Sequence, residues 1–374
     1  MATNNNDKTL NVPHLRFPEF SGEWKKCTIN DLATVVGGGT PDTTVKSYWG
    51  GDIQWFTPSE IGKNKYVDFS KRTITRDGLD NSSAKLLPLH TILLSSRATV
   101  GECSIASNEC TTNQGFQSLI AKQCNIDFLY YLIQTKKKDL IRNACGSTFL
   151  EISANEIRKI KVAVPVQNEQ EQIAKLLSLI DERIATQNKI IEKLQSLIKG
   201  LAAQLTQSGT PNIRLCDCLE CHSSTLQENC VSVTGSYPVY GATGLIGYTN
   251  NYAYNGESIL IVKDGSGVGS LSYVNDHFSV IGTLNYLTAK ENYSILYLYY
   301  ALMAFNFTPY ITGMAIPHIY FKDYGKAKLF YPSIEKRIRI ASLLHNIEQK
   351  LVVEQNLVIS LSAQKSYLLR MLFI

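Results

Sequence analysis

Two stretches of this sequence place apolar residues at seven-residue intervals, and they lie 167 positions apart. In the first, one heptad position holds Leu177, Ile184, Ile191, Ile198 and Leu205. The position three residues later holds Ile180, Gln187, Leu194 and Leu201. In the second stretch the matching positions hold Leu344, Leu351, Val358, Lys365 and Leu372, then Ile347, Glu354, Leu361 and Leu368. A heptad kept over several turns predicts a coiled-coil seam, because it keeps one stripe of each helix facing a partner. Gln187 and Glu354 share one seam position, where a polar residue costs stability but fixes register. A helix packed only on its own domain seldom keeps so strict a spacing over this length.

The duplication extends beyond the helices. Val164-Pro165 leads into Ile173-Ala174-Lys175-Leu176-Leu177 and Ile180-Asp181, while Tyr331-Pro332 leads into Ile340-Ala341-Ser342-Leu343-Leu344 and Ile347-Glu348. Gly146 matches Gly313, Ile152 matches Ile319, and Leu129-Tyr130-Tyr131 matches Leu298-Tyr299-Tyr300. Such a collinear set defines a repeat. It divides the chain into a globular unit (1–165), a spacer helix (166–208), a second globular unit (209–331) and a C-terminal spacer helix (332–374). The Gln207-Ser208-Gly209-Thr210-Pro211 breaker marks the central boundary. Residues 91–96 and 258–262 read as strands, and 128–142 and 295–305 as helices. There is no regular βαβ alternation, so the expected class is α+β, with mixed α/β units separated by long helices.

Length and charge change this picture little. The chain has 374 residues and a net charge of +5 from 37 basic and 32 acidic side chains, which permits nucleic acid without requiring it. Residues 1–165 carry 20 basic and 16 acidic groups, including Lys136-Lys137-Lys138 and Arg158-Lys159-x-Lys161. Residues 209–331 carry 6 basic and 8 acidic groups and hold 15 of the 20 tyrosines. The polar start and the lack of an apolar run of about 20 residues predict a cytoplasmic protein with no membrane partner. Nine cysteines at irregular spacing suit reduced thiols. Cys216, Cys218, Cys221, His222 and Cys230 include one C-x2-C but no second knuckle, so no metal is expected there.

Motifs of chemistry are missing. Gly265-x-Gly267-x-Gly269 reads as a turn, and no phosphate loop, metalloprotease helix or nucleophile elbow is present. No catalytic residue is assigned. Loops rich in Tyr, Asn, Gln, Ser and Thr with scattered Arg and Lys suit surface recognition.

The residues that carry a resemblance are Leu15-Arg16-Phe17-Pro18-Glu19-Phe20-Ser21-Gly22-Glu23-Trp24, Gly38-Gly39-Thr40-Pro41, Ile53-Gln54-Trp55-Phe56-Thr57-Pro58-Ser59-Glu60-Ile61, and the doubled approach to the long helices. Together they resemble the specificity (S) subunit of type I restriction-modification enzymes, over nearly the whole chain. The resemblance implies two target recognition domains, each reading half of a split site in double-stranded DNA. It implies an antiparallel coiled-coil spacer built on Leu177, Ile180, Ile184, Ile191 and Leu194 against Leu344, Ile347, Leu351, Val358 and Leu361. A helix of about 37 residues is about 55 Å long, or one to one and a half turns of duplex. The implied partners are two methyltransferase (M) subunits and restriction (R) subunits. No cofactor is implied in this chain; S-adenosylmethionine would belong to M, and ATP with magnesium to R. Candidate DNA-contacting residues in matched loops are Thr40, Trp55, Arg97, Gln114, Ser147 and Thr148, then Tyr237, Tyr240, Lys263, Asp264, Asn285 and His318. Arg97 and Gln114 suit bidentate contacts to guanine and adenine. The competing readings are a coiled-coil scaffolding adaptor without DNA specificity, and a stand-alone DNA-modifying enzyme.

Overall fold

The computed structural model describes residues 11–146 and 150–374. The chain divides into two compact units, one comprising Met1–Thr186 with Val358–Ile374 and the other Gln187–Leu357. Both dividing points fall inside the long helices, Gln167–Thr206 (the central helix) and Ile334–Leu372 (the C-terminal helix).

The two units share one strand order. In the first, a five-stranded sheet runs Ala33–Gly37, Gln117–Ala121, Ile92–Leu94, Cys103–Ala106 and Tyr66–Val67. In the second, the order is Leu219–Ser223, Leu284–Ala289, Tyr254–Val262, Leu271–Val280 and Tyr237–Gly241, with the hairpin strand Gly244–Thr249 added at the edge. In both sheets the first three pairings are antiparallel, and the fourth and fifth strands pair in parallel. A short antiparallel pair closes each unit, Lys25–Thr28 on Lys161–Val164 and Ile213–Arg214 on Lys328–Leu329. The first unit alone adds a three-stranded sheet of Arg72–Ile74, Trp49–Phe56 and Cys110–Thr112.

A buried helix covers each sheet. Ile126–Thr135 starts where the Asn125 side chain accepts from the Phe128 amide, and Ile295–Met303 where Ser294 accepts from Tyr297. These N-caps satisfy amide groups that the first turn leaves open. The expected helix over 128–142 is broken at Lys136 and resumes over Lys137–Arg142. Phe128, Leu129, Leu132 and Ile133 are fully buried in the first core, and Tyr297, Leu298 and Tyr300 in the second.

The long helices belong to these cores. In the first unit, Ile173 and Leu177 pack in one cluster with Leu368, Leu369 and Leu372. In the second, Leu201, Ala202 and Leu205 pack with Ile340, Ala341 and Leu344. Rising numbers on one helix meet falling numbers on the other, so the pairing within each unit is antiparallel. Every seam position of the central helix from Leu177 to Leu205 is buried or half-buried. Gln187 and Glu354, counterparts in the repeat, hydrogen-bond to one another at 2% and 6% exposure, and Lys350 pairs with Glu354.

The opening segment anchors the first unit. Arg16 makes a two-pronged bond to the fully buried Glu169, with Nε–Oε1 at 2.8 Å and Nη2–Oε2 at 2.7 Å, and the Trp24 indole donates to the same carboxylate at 3.3 Å. Trp24 also packs edge-on against Phe128 and Phe373.

Each covering helix is tied to a long helix by a tyrosine and an acid at matched positions. The Tyr131 hydroxyl donates to Asp181 at 2.7 Å, and Asp181 also pairs with Lys365. The Tyr299 and Tyr300 hydroxyls donate to Glu348 at 2.9 and 2.7 Å. Burial and the neighbouring carboxylate push these phenols well above their ordinary range.

Candidate nucleic-acid interface

In the first unit four loops converge at one end of the five-stranded sheet. The Gly39 amide donates to the Thr112 carbonyl at 2.8 Å, Ser96 to Gly115 at 2.8 Å, and Ile152 to Ser96 at 3.0 Å. The Thr40 hydroxyl donates to the Gln114 side chain. Glycine is required here by close approach: a Cβ at Gly38 would collide with the Asn113 carbonyl, and one at Gly39 with the backbone of Ser83 and Ala84. Arg97 and Glu151 sit opposite one another in an isolated bridge, and their side chains pair at 2.8 Å.

The second unit repeats this arrangement 167 positions on. Asp264 and His318 form the corresponding bridge, and Thr312–His318 corresponds to Cys145–Glu151. The Lys263 amide donates to Thr283, Ile319 donates back to Lys263, Gly265 donates to Pro317, and Ile281 donates to Tyr240. Gly265 holds φ +97°, as the turn reading requires. Around this cluster Met314, Ile316 and Tyr320 are exposed.

Thr40, Gln114 and Arg97 therefore share one surface, and Lys263, Asp264 and His318 share its counterpart; Tyr240 joins it through its carbonyl, while its ring packs against the core around Val239 and Phe278. Tyr237 lies elsewhere, in an aromatic group with Tyr252 and His277 at 4.9 and 5.5 Å. Ser147 and Thr148 lie outside the described residues. Two candidates require correction. Trp55 is only 4% exposed and donates its indole N–H to the Gly39 carbonyl at 2.9 Å, so it supports the glycine loop from beneath. Asn285 is 6% exposed within the strand Leu284–Ala289 and accepts from Ser223 at 3.0 Å, so it satisfies the sheet interior.

Several side chains of the basic runs are engaged by the protein itself: Lys137 pairs with Glu102, Lys136 reaches the Ile374 carbonyl, and Arg158 donates to the Val35 carbonyl. Among the described residues, no cluster of three or more His, Cys, Asp or Glu side chains is placed to hold a metal. The Cys218 thiol donates to the Leu215 carbonyl, and His222 stacks on Tyr286. All nine cysteines are free. No described helix is long and apolar enough to cross a membrane.

The exposed Arg72 stacks on the half-buried Trp49, with the guanidinium 3.6 Å from the ring centroid, and no sequence motif marks this pair. The signal in the sequence is Trp49-Gly50-Gly51 followed closely by Trp55. Gly50 at φ +83° allows a strand irregularity that sets both indoles against each other at 5.0 Å.

This architecture, two like-folded units with matched loop clusters and a shared pair of long heptad helices, is that of a two-domain recognition protein. The type I restriction modification DNA specificity domain matches residues 21–196 and 213–361. The chain belongs to that family, as a type I specificity subunit with two recognition domains. The chain is 39% identical over 183 residues to the MjaIX specificity subunit of Methanocaldococcus jannaschii, a match spanning 46% of this chain and 42% of that protein. It is 25% identical over 361 residues to the EcoprrI specificity subunit of Escherichia coli, spanning 87% of each. The crystal structure of an S subunit from M. genitalium covers 97% of this chain and 99% of its own, with a TM-score of 0.66 at 19% identity.

Proposed function

We propose that this chain is the non-catalytic sequence-reading subunit of a type I restriction-modification complex, acting in the cytoplasm on a bipartite site in double-stranded DNA. Each loop cluster reads one half-site. The antiparallel helices set the gap between the half-sites. The observation that carries the reading is the matched bridge, Arg97–Glu151 in one unit and Asp264–His318 in the other. It means that the same surface was built twice, with different side chains, as a split recognition site demands.

In this reading two methyltransferase subunits dock on the helices and supply S-adenosylmethionine, and restriction subunits supply ATP- and magnesium-dependent cleavage. Exposed apolar residues on the helices support docking there: Leu179, Ile190 and Leu197 on one, and Ile338, Val352 and Ile359 on the other. Burying such residues drives association. The test is methyl transfer from labelled S-adenosylmethionine to DNA by this chain alone, by the methyltransferase alone and by both. The reading expects transfer to specific DNA only from the mixture. Transfer by this chain alone would support an enzyme, and an assembled complex that binds no duplex would support an adaptor.

A further inference from the structure

We propose that Arg72 is a base-reading residue of the first unit and that its target is a guanine. The proposal rests on the sequence-reading role argued above. Within residues 11–165, the other five arginines are all engaged: Arg16 with Glu169, Arg76 with Asp80, Arg97 with Glu151, Arg142 with Asp139 and Arg158 with the Val35 carbonyl. Among the described residues, the Arg72 guanidinium has neither an ion pair nor a hydrogen bond, and the residue is exposed. It is held instead by stacking, 3.6 Å from the centroid of Trp49 and 5.5 Å from that of Trp55.

That mode of holding matters chemically. A guanidinium lying on an indole face loses its rotamer freedom but keeps its edge N–H groups available. The planar fork then matches the O6 and N7 acceptors of guanine in the major groove. The same fork also fits a phosphate, but a phosphate contact changes affinity without changing sequence preference, whereas a guanine contact changes the preference at one position. The platform is also tied to the candidate surface. The Trp49 indole donates to the Asp42 carbonyl at 3.1 Å and the Trp55 indole to the Gly39 carbonyl at 2.9 Å. These two bonds bracket Thr40, whose hydroxyl donates to Gln114. Arg72, Thr40 and Gln114 therefore stand on one frame, and the preorganised fork has less entropy to lose on binding.

The experiment is genome-wide adenine methylation by single-molecule sequencing in cells expressing the methyltransferase partner with the wild-type chain, R72K or R72A. Lysine keeps the charge but lacks the fork. Both variants are expected to relax one G·C position in one half-site by about 10- to 100-fold. The other half-site, the gap and the melting temperature should be unchanged. Wild-type stringency at every position in either variant would overturn the assignment. So would a uniform fall in methylation with an unaltered motif, which marks a phosphate contact. If R72A melts lower than wild type, R72K alone decides the matter. Absence of any bipartite motif with the wild-type chain would remove the sequence-reading role itself, and this proposal with it, before the variants are compared.

Discussion

Glu348 anchors the second unit to its long helix, and removing it should cost more than an ordinary surface change. Its two carboxylate oxygens accept from Tyr299 and Tyr300 at 2.9 and 2.7 Å, and those residues are 4% and 0% exposed. E348A deletes both acceptors and leaves two buried hydroxyls without partners. An unsatisfied buried donor costs about 1–3 kcal/mol, so the pair costs about 2–6 kcal/mol. Glu348 itself is half-buried, which lets water reach part of the space and favours the lower part of that range, about 3 kcal/mol. For a unit of this size, that lowers the melting temperature by about 6–12 °C. Because the chain has two units, a single whole-chain transition is the wrong readout. Pulsed thiol labelling reports each unit separately, with Cys218 for the second and Cys103 for the first, both buried. E348A should expose Cys218 at lower temperature and leave Cys103 unchanged. Adding Y299F and Y300F to E348A removes the orphaned hydroxyls and should restore most of the loss. The reasoning fails if E348A labels Cys218 within about 1 °C of wild type, or if the added phenylalanines restore nothing.

Three further outcomes follow from the same geometry. Replacing the buried pair with Q187L and E354L together should raise stability by about 1–3 kcal/mol while loosening helix register, read by calorimetry and by disulfide trapping of shifted pairings; a loss of stability would contradict the seam argument. Gly39→Ala should abolish stringency at the half-site read by the first unit and spare the other, since a Cβ there meets the backbone of Ser83 and Ala84, as a methylation map of the variant would show. Burial raises the Cys221 thiol to about 11 and the Tyr297 hydroxyl to about 12, from 9.0 and 10.0. Above pH 9 the unfolded chain holds fewer protons than the native one, so stability should be full below about pH 9 and fall steadily towards pH 12 in alkaline melts.

The periodic parts of this protein are legible in its sequence. The heptads from Leu177 to Leu205 name the helix and its inward face together, because the period fixes which residues share a stripe. The offset that matches Asp181 with Glu348 also matches the structural ties that those acids make. The strands Ile92–Leu94 and Tyr254–Val262 are recognisable from their apolar runs, although their bounds differ from expectation. The loops are less readable. By residue type Trp55 suits a surface loop, but the bulge at Gly50 folds it under the glycine loop. By residue type Asn285 suits a loop, yet cross-strand pairing with Ser223 buries it. Arg72 and Trp49 are 23 positions apart, and nothing local announces that adjacent strands place one over the other. Recognition surfaces of this kind are set by tertiary placement, so residue type alone does not locate them.

The most direct test of the central claim is the methylation map of cells expressing this chain with a type I methyltransferase partner. The expected result is one adenine-methylated motif made of two short specific halves around a gap of fixed length. One heptad inserted into each long helix should change the gap and neither half. A continuous motif, or half-sites that change when only the helices are lengthened, would contradict the claim.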